Sequence, residues 1–188
     1  MNDLYDEGRA VRFDYLPPMS GISAIEDKLH RGAVVRRLGE GRTAEVLRNI
    51  CHRILYPETS RESVRDPHES WNKLCANMRA MFGVNLLKPE FIVAKGYIQF
   101  RYVENNVTYD ISSGGLGFLQ TLLLFAYMYS SQGAVLLLDE PDAHLETIRQ
   151  RETFQRINET ARETGSQVLI ATHSEVVLNE ARKIIKLS

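Results

Sequence analysis

Two cysteines in 188 residues, Cys51 and Cys75, are too few for a disulfide-stapled scaffold. Both lie in apolar, helix-like stretches without metal-ligand spacing, so they read as reduced buried thiols, with a disulfide as the alternative. No apolar run reaches the roughly 18 to 20 residues of a membrane-spanning helix. The longest, Leu116 to Met128, is interrupted by Gln120 and Thr121. Neither sign of charge dominates, and a formal net charge of -1 gives no overall pull toward nucleic acid or membrane. The acidic opening Met1-Asn2-Asp3-Leu4-Tyr5-Asp6-Glu7 lacks the cationic, apolar and small-residue regions of a secretory signal. The expectation is a cytoplasmic protein with no membrane partner. Also missing is any G-x-x-x-x-G-K-[ST] loop, whose backbone amides and lysine cradle phosphates. The nearest approximation, Gly39-Glu40-Gly41-Arg42-Thr43, puts Arg36 where the first glycine is needed and Arg42 in place of lysine, and is rejected.

What is present suffices for one packed domain, with 44% apolar residues. Over residues 1–22, Tyr15-Leu16-Pro17-Pro18-Met19-Ser20-Gly21 predicts an extended connector. From Ser23 to about Leu55 the pattern is helical, broken at Leu38-Gly39-Glu40-Gly41, with Thr43 as N-cap of a second helix. A third helix has the clearest start, with Asp66 as cap, Pro67 at the first position and Glu69 completing a capping box. Its apolar stripe of Trp71, Leu74, Cys75, Met78, Met81 and Phe82 ends at Gly83, and reads as core more readily than as a ligand box.

The period then changes. Phe91-Ile92-Val93 and Tyr97 to Val103 read as strands, and Asn105-Asn106 turns tightly into Val107 to Ile111. From Leu116 the expected order is helix, buried strand (134–138), amphipathic helix (143–164), buried strand (167–171), short helix (174–182) and final strand (184–187). This alternation predicts an α/β unit whose parallel sheet is covered on both faces. The expected division is a connector and helical lobe over residues 1–83, and a hairpin with an α/β core over 84–188, forming one incomplete domain.

Three segments carry chemistry. Ala134-Val135-Leu136-Leu137-Leu138-Asp139-Glu140-Pro141 is a buried strand that delivers Asp139 to its carboxyl end, where open α/β sheets bind ligands. Asp139 there can hold Mg²⁺, and Glu140 can orient and help deprotonate a water; a solvated turn is the bland alternative. Ser112-Ser113-Gly114-Gly115-Leu116-Gly117 precedes a helix, so free amides and the positive end of the helix dipole make an anion-binding tip. An unliganded glycine-rich turn is its alternative. In Val168-Leu169-Ile170-Ala171-Thr172-His173-Ser174, a second buried strand delivers His173 to the same sheet edge as Asp139 if the two strands are neighbours.

Taken in this order, the three segments resemble the signature loop, Walker B strand and switch histidine of ABC-type P-loop ATPases. The resemblance covers nearly the whole chain but only the carboxyl-terminal portion of the family, whose Walker A loop lies upstream of the segment like Tyr15 to Gly21. Ser112 stands where leucine is common and Leu116 where a polar residue is common. With Gly117 and Gln120, this form is closer to prophage and defence-associated ATPases related to the OLD and structural-maintenance-of-chromosomes families than to transporters. The resemblance implies ATP and Mg²⁺ as cofactors, with Asp139 on the metal and Glu140 and His173 catalytic. It implies that Ser113, Gly114 and Gly115 contact the γ-phosphate of a nucleotide held by the opposite protomer of a homodimer. Asp142-Ala143-His144-Leu145-Glu146 resembles the D-loop along that interface. The missing Walker A segment or chain is then a required partner. The alternative is a non-catalytic interaction or regulatory module that pairs with a separate Walker A-containing chain. Nucleic acid enters through Lys28, Arg31, Arg36, Arg37, Arg42, Arg48 and Arg53, which outnumber Glu40 and Glu45 around them, although a solvated helix face explains the same run. DNA repair and phage defence are the processes that the resemblance suggests.

Overall fold

The computed structural model describes residues 11–58 and 64–185. Its centre is a three-stranded parallel sheet in the order β1 (Phe13–Leu16), β7 (Val135–Asp139), β8 (Gln167–Ala171). Phe13 pairs with Val135 and Leu16 with Leu138, while Val135 pairs with Gln167 and Asp139 with Ala171. β1 corrects the expected connector: only four residues long, it reads as loop by itself and becomes a strand because β7 offers it an edge. Pro17, which has no N–H to continue the ladder, follows it at once.

Three helices follow. α1 (Arg31–Gly39) starts later than Ser23 because residues 23–30 form a strap instead, with Ser23 N donating to Ala44 O and Lys28 N to Gly96 O. The strap also caps α2 (Leu47–Leu55): the buried Glu26 carboxylate accepts from the amides of Arg48 (2.9 Å) and Asn49 (2.6 Å). Thr43, expected to cap that helix, lies in a short 3₁₀ turn and bonds to Ser20 N and Pro18 O. α3 (Pro67–Phe82) begins and ends as expected, with Asp66 Oδ1 accepting from Glu69 N at 2.9 Å and Gly83 closing it at φ +71°.

Short antiparallel strands then follow: β2 (Asn85–Leu86), β3 (Glu90–Ile92), β4 (Tyr97–Gln99), β5 (Arg101–Glu104) and β6 (Val107–Asp110). β3 pairs with β4, and β2, β5 and β6 make a second sheet. The single strand expected over 97–103 divides at the fully buried Phe100, whose carbonyl accepts from Ile111 N. Asn105 (φ +49°) and Asn106 (φ +63°) make the tight turn.

α4 (Leu116–Ser130) is the spine of the molecule, buried without interruption from Phe118 to Tyr129. A helix apolar on every side must be packed on every side, and α2 and α3 flank it together with α5 (Thr147–Thr164). Leu122, Leu123, Leu124 and Phe125 have no exposure, and each such side chain contributes about 1.5–3 kcal/mol relative to leaving it in water. Its polar Gln120 is satisfied by Met19 N at 2.6 Å. One core cluster joins Leu16, Val34, Ile54, Leu74, Leu122 and Leu136, so packing runs across residues 83 and 84. Cys51 is buried and Cys75 half-buried, both free.

Two further expectations are overturned. α6 (Glu175–Ile185) runs through residues 184 and 185, where a final strand was expected; residues 186 and 187 lie outside the described residues. The described residues also cover the parallel sheet on one face only, where cover on both was expected. Leu16, Leu136 and Leu138 point into the core with Val168 and Ile170 against it. On the other face, Phe13 (64% exposed), Tyr15, Val135, Leu137 and Leu169 (66%) carry no such cover among the described residues, and the outer edge of β8 has no strand partner there. In addition, α5 begins at Thr147, not 143, because His144 turns the chain at φ +64°.

Candidate functional site

β7 and β8 are neighbours in register, and this brings together the two sheet-end segments. Asp139 is the last residue of β7, opposite Ala171. Its Oδ2 accepts the Tyr15 hydroxyl from β1 at 3.1 Å. Partial burial raises the Tyr15 phenol above its ordinary pKa, and the hydrogen bond and charge of Asp139 raise it further. Glu140 follows in a left-handed conformation at φ +43°, unusual for a side chain with a Cβ and costing about 1–2 kcal/mol. Its amide is tied to Ala171 O at 2.8 Å, and its carbonyl accepts from Ala143 N at 2.9 Å. The imidazole Nε2 of His173 lies 3.5 Å from Glu140 Oε1, and the His173 side chain is 96% exposed. A glutamate beside an exposed imidazole at one sheet edge can hold a water and exchange protons with it.

The turns around these residues are locked together. Thr172 Oγ1 donates to the buried Asp142 at 2.7 Å, Ser174 Oγ to Gln150 Oε1 at 2.8 Å, and Gln150 Nε2 to Leu145 O at 3.0 Å. The segment after Glu140 and the segment around His173 are thereby fixed relative to each other.

The glycine-rich tip is a separate structure. Asp110, at the end of β6, caps a single 3₁₀ turn (Ile111–Ser113), and Gly115 caps α4. A Cβ on Gly114 would lie 2.5 Å from the Phe118 ring, so that glycine serves the tip's own packing. A Cβ on Gly115 would meet nothing within 4 Å, which leaves its surface open to approach. Gly117 touches the Asp142 segment, since a Cβ there would lie 2.8 Å from His144 O. Among the described residues, no hydrogen bond or ion pair joins Ser113, Gly114 or Gly115 to Asp139, Glu140 or His173.

For a metal, the donors at the sheet end are carboxylate oxygens, the kind that Mg²⁺ takes. No described group of three or more His, Cys, Asp or Glu could enclose an ion. The Gly39 to Thr43 segment is no substitute cradle, because Arg42 is bound by Glu45 (2.9 and 2.7 Å) and Glu40 (3.1 Å). Arg37 also meets Glu45, Arg36 meets Glu40, and Arg48 is buried, so the basic run is largely paired. Sequence reasoning missed Tyr15 as a partner of Asp139, 124 residues away; only the pairing of β1 with β7 reveals it.

The family described as "AAA domain, putative AbiEii toxin, Type IV TA system" matches residues 13–179, nearly the whole chain. The chain belongs to this family of P-loop ATPase domains. No curated protein matches this AAA domain. Among solved structures, it is similar to the Smc head domain of Pyrococcus furiosus, crystallised with the C-terminal domain of ScpA. The two share 17% identity over 61% of this chain and 31% of that one, with a TM-score of 0.43. A structure from work on ATP-driven dimerisation of SMC ATPases gives 17% identity, 60% and 74% coverage, and a TM-score of 0.44. The Smc head of Pyrococcus yayanosii gives 15%, 79% and 26%, and 0.46. The AAA domain thus spans about a third of the length of the first of these, 31%. Among its described residues, no helix is long and apolar enough to cross a membrane.

Proposed function

We propose that this chain supplies the signature tip, the Walker B carboxylates and the switch histidine of an ATPase whose ATP lies between two protomers. The observation that carries this reading is the meeting of Glu140 and His173, 3.5 Å apart, at the ends of two paired strands. Asp139, steadied by Tyr15, would hold Mg²⁺, which would supply positive charge to offset that of the phosphates. Glu140, whose Oε1 lies 3.5 Å from His173 Nε2, orients the attacking water and takes its proton. His173, exposed beside it, donates to the phosphoryl group under attack. Ser113 and the amides of Gly114 and Gly115 bind the γ-phosphate of the nucleotide in the opposite protomer, where the open surface at Gly115 permits contact.

The phosphate cradle then comes from a segment or chain not among these 188 residues. Among the described residues, one sheet face lacks cover and the outer edge of β8 lacks a strand partner, which supports this because parallel sheets are ordinarily covered on both sides. The same face also favours a second reading, a non-catalytic module that docks on a separate Walker A-containing chain. Glu140→Gln in the assembly with the cradle separates the two. For the ATPase, hydrolysis should fall on the order of 100-fold or more while ATP stays bound in a closed dimer, measured by phosphate release and light scattering. Unchanged hydrolysis would rule out Glu140 as the base.

A further inference from the structure

Arg48 is the one arginine of the basic run that is removed from solvent, at 1% exposure, and its guanidinium does not lie on the surface where a polyanion could meet it. It reaches from α2 to three acceptors: Ser23 O (3.2 Å) and Ala24 O (3.2 Å) of the strap, and Asp110 Oδ1 (2.7 Å) at the end of β6. That same Oδ1 accepts both the amide (2.9 Å) and the hydroxyl (2.6 Å) of Ser112, the first serine of the tip. Burial alone would raise the Asp110 carboxyl, but the Ser112 hydrogen bonds and the Arg48 charge outweigh it and hold it below the ordinary carboxylate range. One oxygen therefore ties a buried cation in the helical lobe to the turn that leads into Ser113, Gly114 and Gly115. Charge-assisted hydrogen bonds are about twice as strong as neutral ones, and the guanidinium fork fixes direction as well as charge.

We propose that Arg48 is a positioning residue that acts through Asp110 to set the backbone of the Ser112–Gly115 tip from inside the helical lobe. The value of the tip as a phosphate contact rests on the function proposed above; its positioning does not. The test uses the full chain, with amide exchange read at Ser112 and at Gly114, whose N–H bonds to Ile111 O. Asp110 is 42% exposed at its side chain, so Asp110→Ala spares the core.

Asp110→Ala and Arg48→Met should each speed exchange at these two amides about tenfold or more relative to amides of α3. The double variant should exceed Asp110→Ala alone by little. If Arg48→Met does not fold, Arg48→Lys, which keeps the charge but not the fork, carries the same comparison with a smaller effect. Additive effects in the double variant, or tip exchange that rises only in proportion to α3, would overturn the proposal. In the assembly with the phosphate cradle, Asp110→Ala should raise the ATP concentration needed for pairing by a similar factor. A loosened tip with unchanged ATP-driven pairing would support the positioning role and overturn the tip as a nucleotide contact.

Discussion

Gly117 lies in the first turn of α4, and Gly117→Ala tests whether α4 and the Asp142-to-Glu146 segment press on each other as the fold indicates. On an unobstructed helix the replacement should stabilise, since alanine is favoured over glycine by about 0.8–1 kcal/mol. Here the added methyl would sit 2.8 Å from His144 O and 3.2 Å from Leu145 Cδ2. The nearer atom is backbone, on a residue already at φ +64° and followed by the buried Leu145, so it cannot swing aside as a side-chain tip could. Overpacking of this kind costs about 1–3 kcal/mol, so the net expectation is a loss of about 1 kcal/mol, reaching about 2. Urea unfolding of wild type, Gly117→Ala and Gly115→Ala measures it. Gly115→Ala meets nothing and should stay within about 0.5 kcal/mol, the unfolded-state gain being offset by the weaker cap. Hydrogen exchange at residues 142–146 should rise in Gly117→Ala alone. A stabilised Gly117→Ala with unchanged exchange there would refute the contact.

His52 gives a pH prediction. Burial, with the charge of Lys28, lowers its pKa from the usual 6.5 to about 4. A depressed histidine pKa means that the unfolded chain binds the proton first, so the stability is present above pH 6.5 and drains as pH falls toward 4. The loss is up to about 3 kcal/mol, and the slope of urea midpoints with pH over that window should flatten in His52→Asn. At the tight turn, Asn106→Gly should stabilise by about 0.5 kcal/mol, because relief of about 1 kcal/mol of strain at φ +63° is partly offset by the greater freedom of glycine in the unfolded chain. A lowered thermal midpoint would contradict that.

The parts of this molecule that were legible in the sequence are those whose cause is local. Asp66, Pro67 and Gly83 bracket α3 by capping chemistry, and the uninterrupted apolar runs at Val135 to Leu138 and Val168 to Ala171 announce β7 and β8. Asp139, Glu140 and His173 stood out because they follow those runs. What escaped depends on distant partners: β1 is a strand only because β7 lies beside it, and the strap is not helical because Ala44 and Gly96 take its amides. The Tyr15–Asp139 and Arg48–Asp110 contacts span 124 and 62 residues, and no periodicity reports them. The sheet face that lacks cover among the described residues was hidden for a different reason. An apolar strand reads as buried whether or not its cover is in the same sequence, so Phe13 and Leu169 could be found exposed only in three dimensions.

In the proposed division of labour, this chain carries the carboxylates, histidine and tip of the ATP site but not its phosphate cradle. A calorimetric titration with Mg²⁺ and ATP tests it most directly, run on the purified chain and on the same chain joined with a G-x-x-x-x-G-K-[ST] segment from its own family. The chain by itself should show no binding in the micromolar range, and micromolar binding should appear once the cradle is supplied. Micromolar binding by the isolated chain would contradict it.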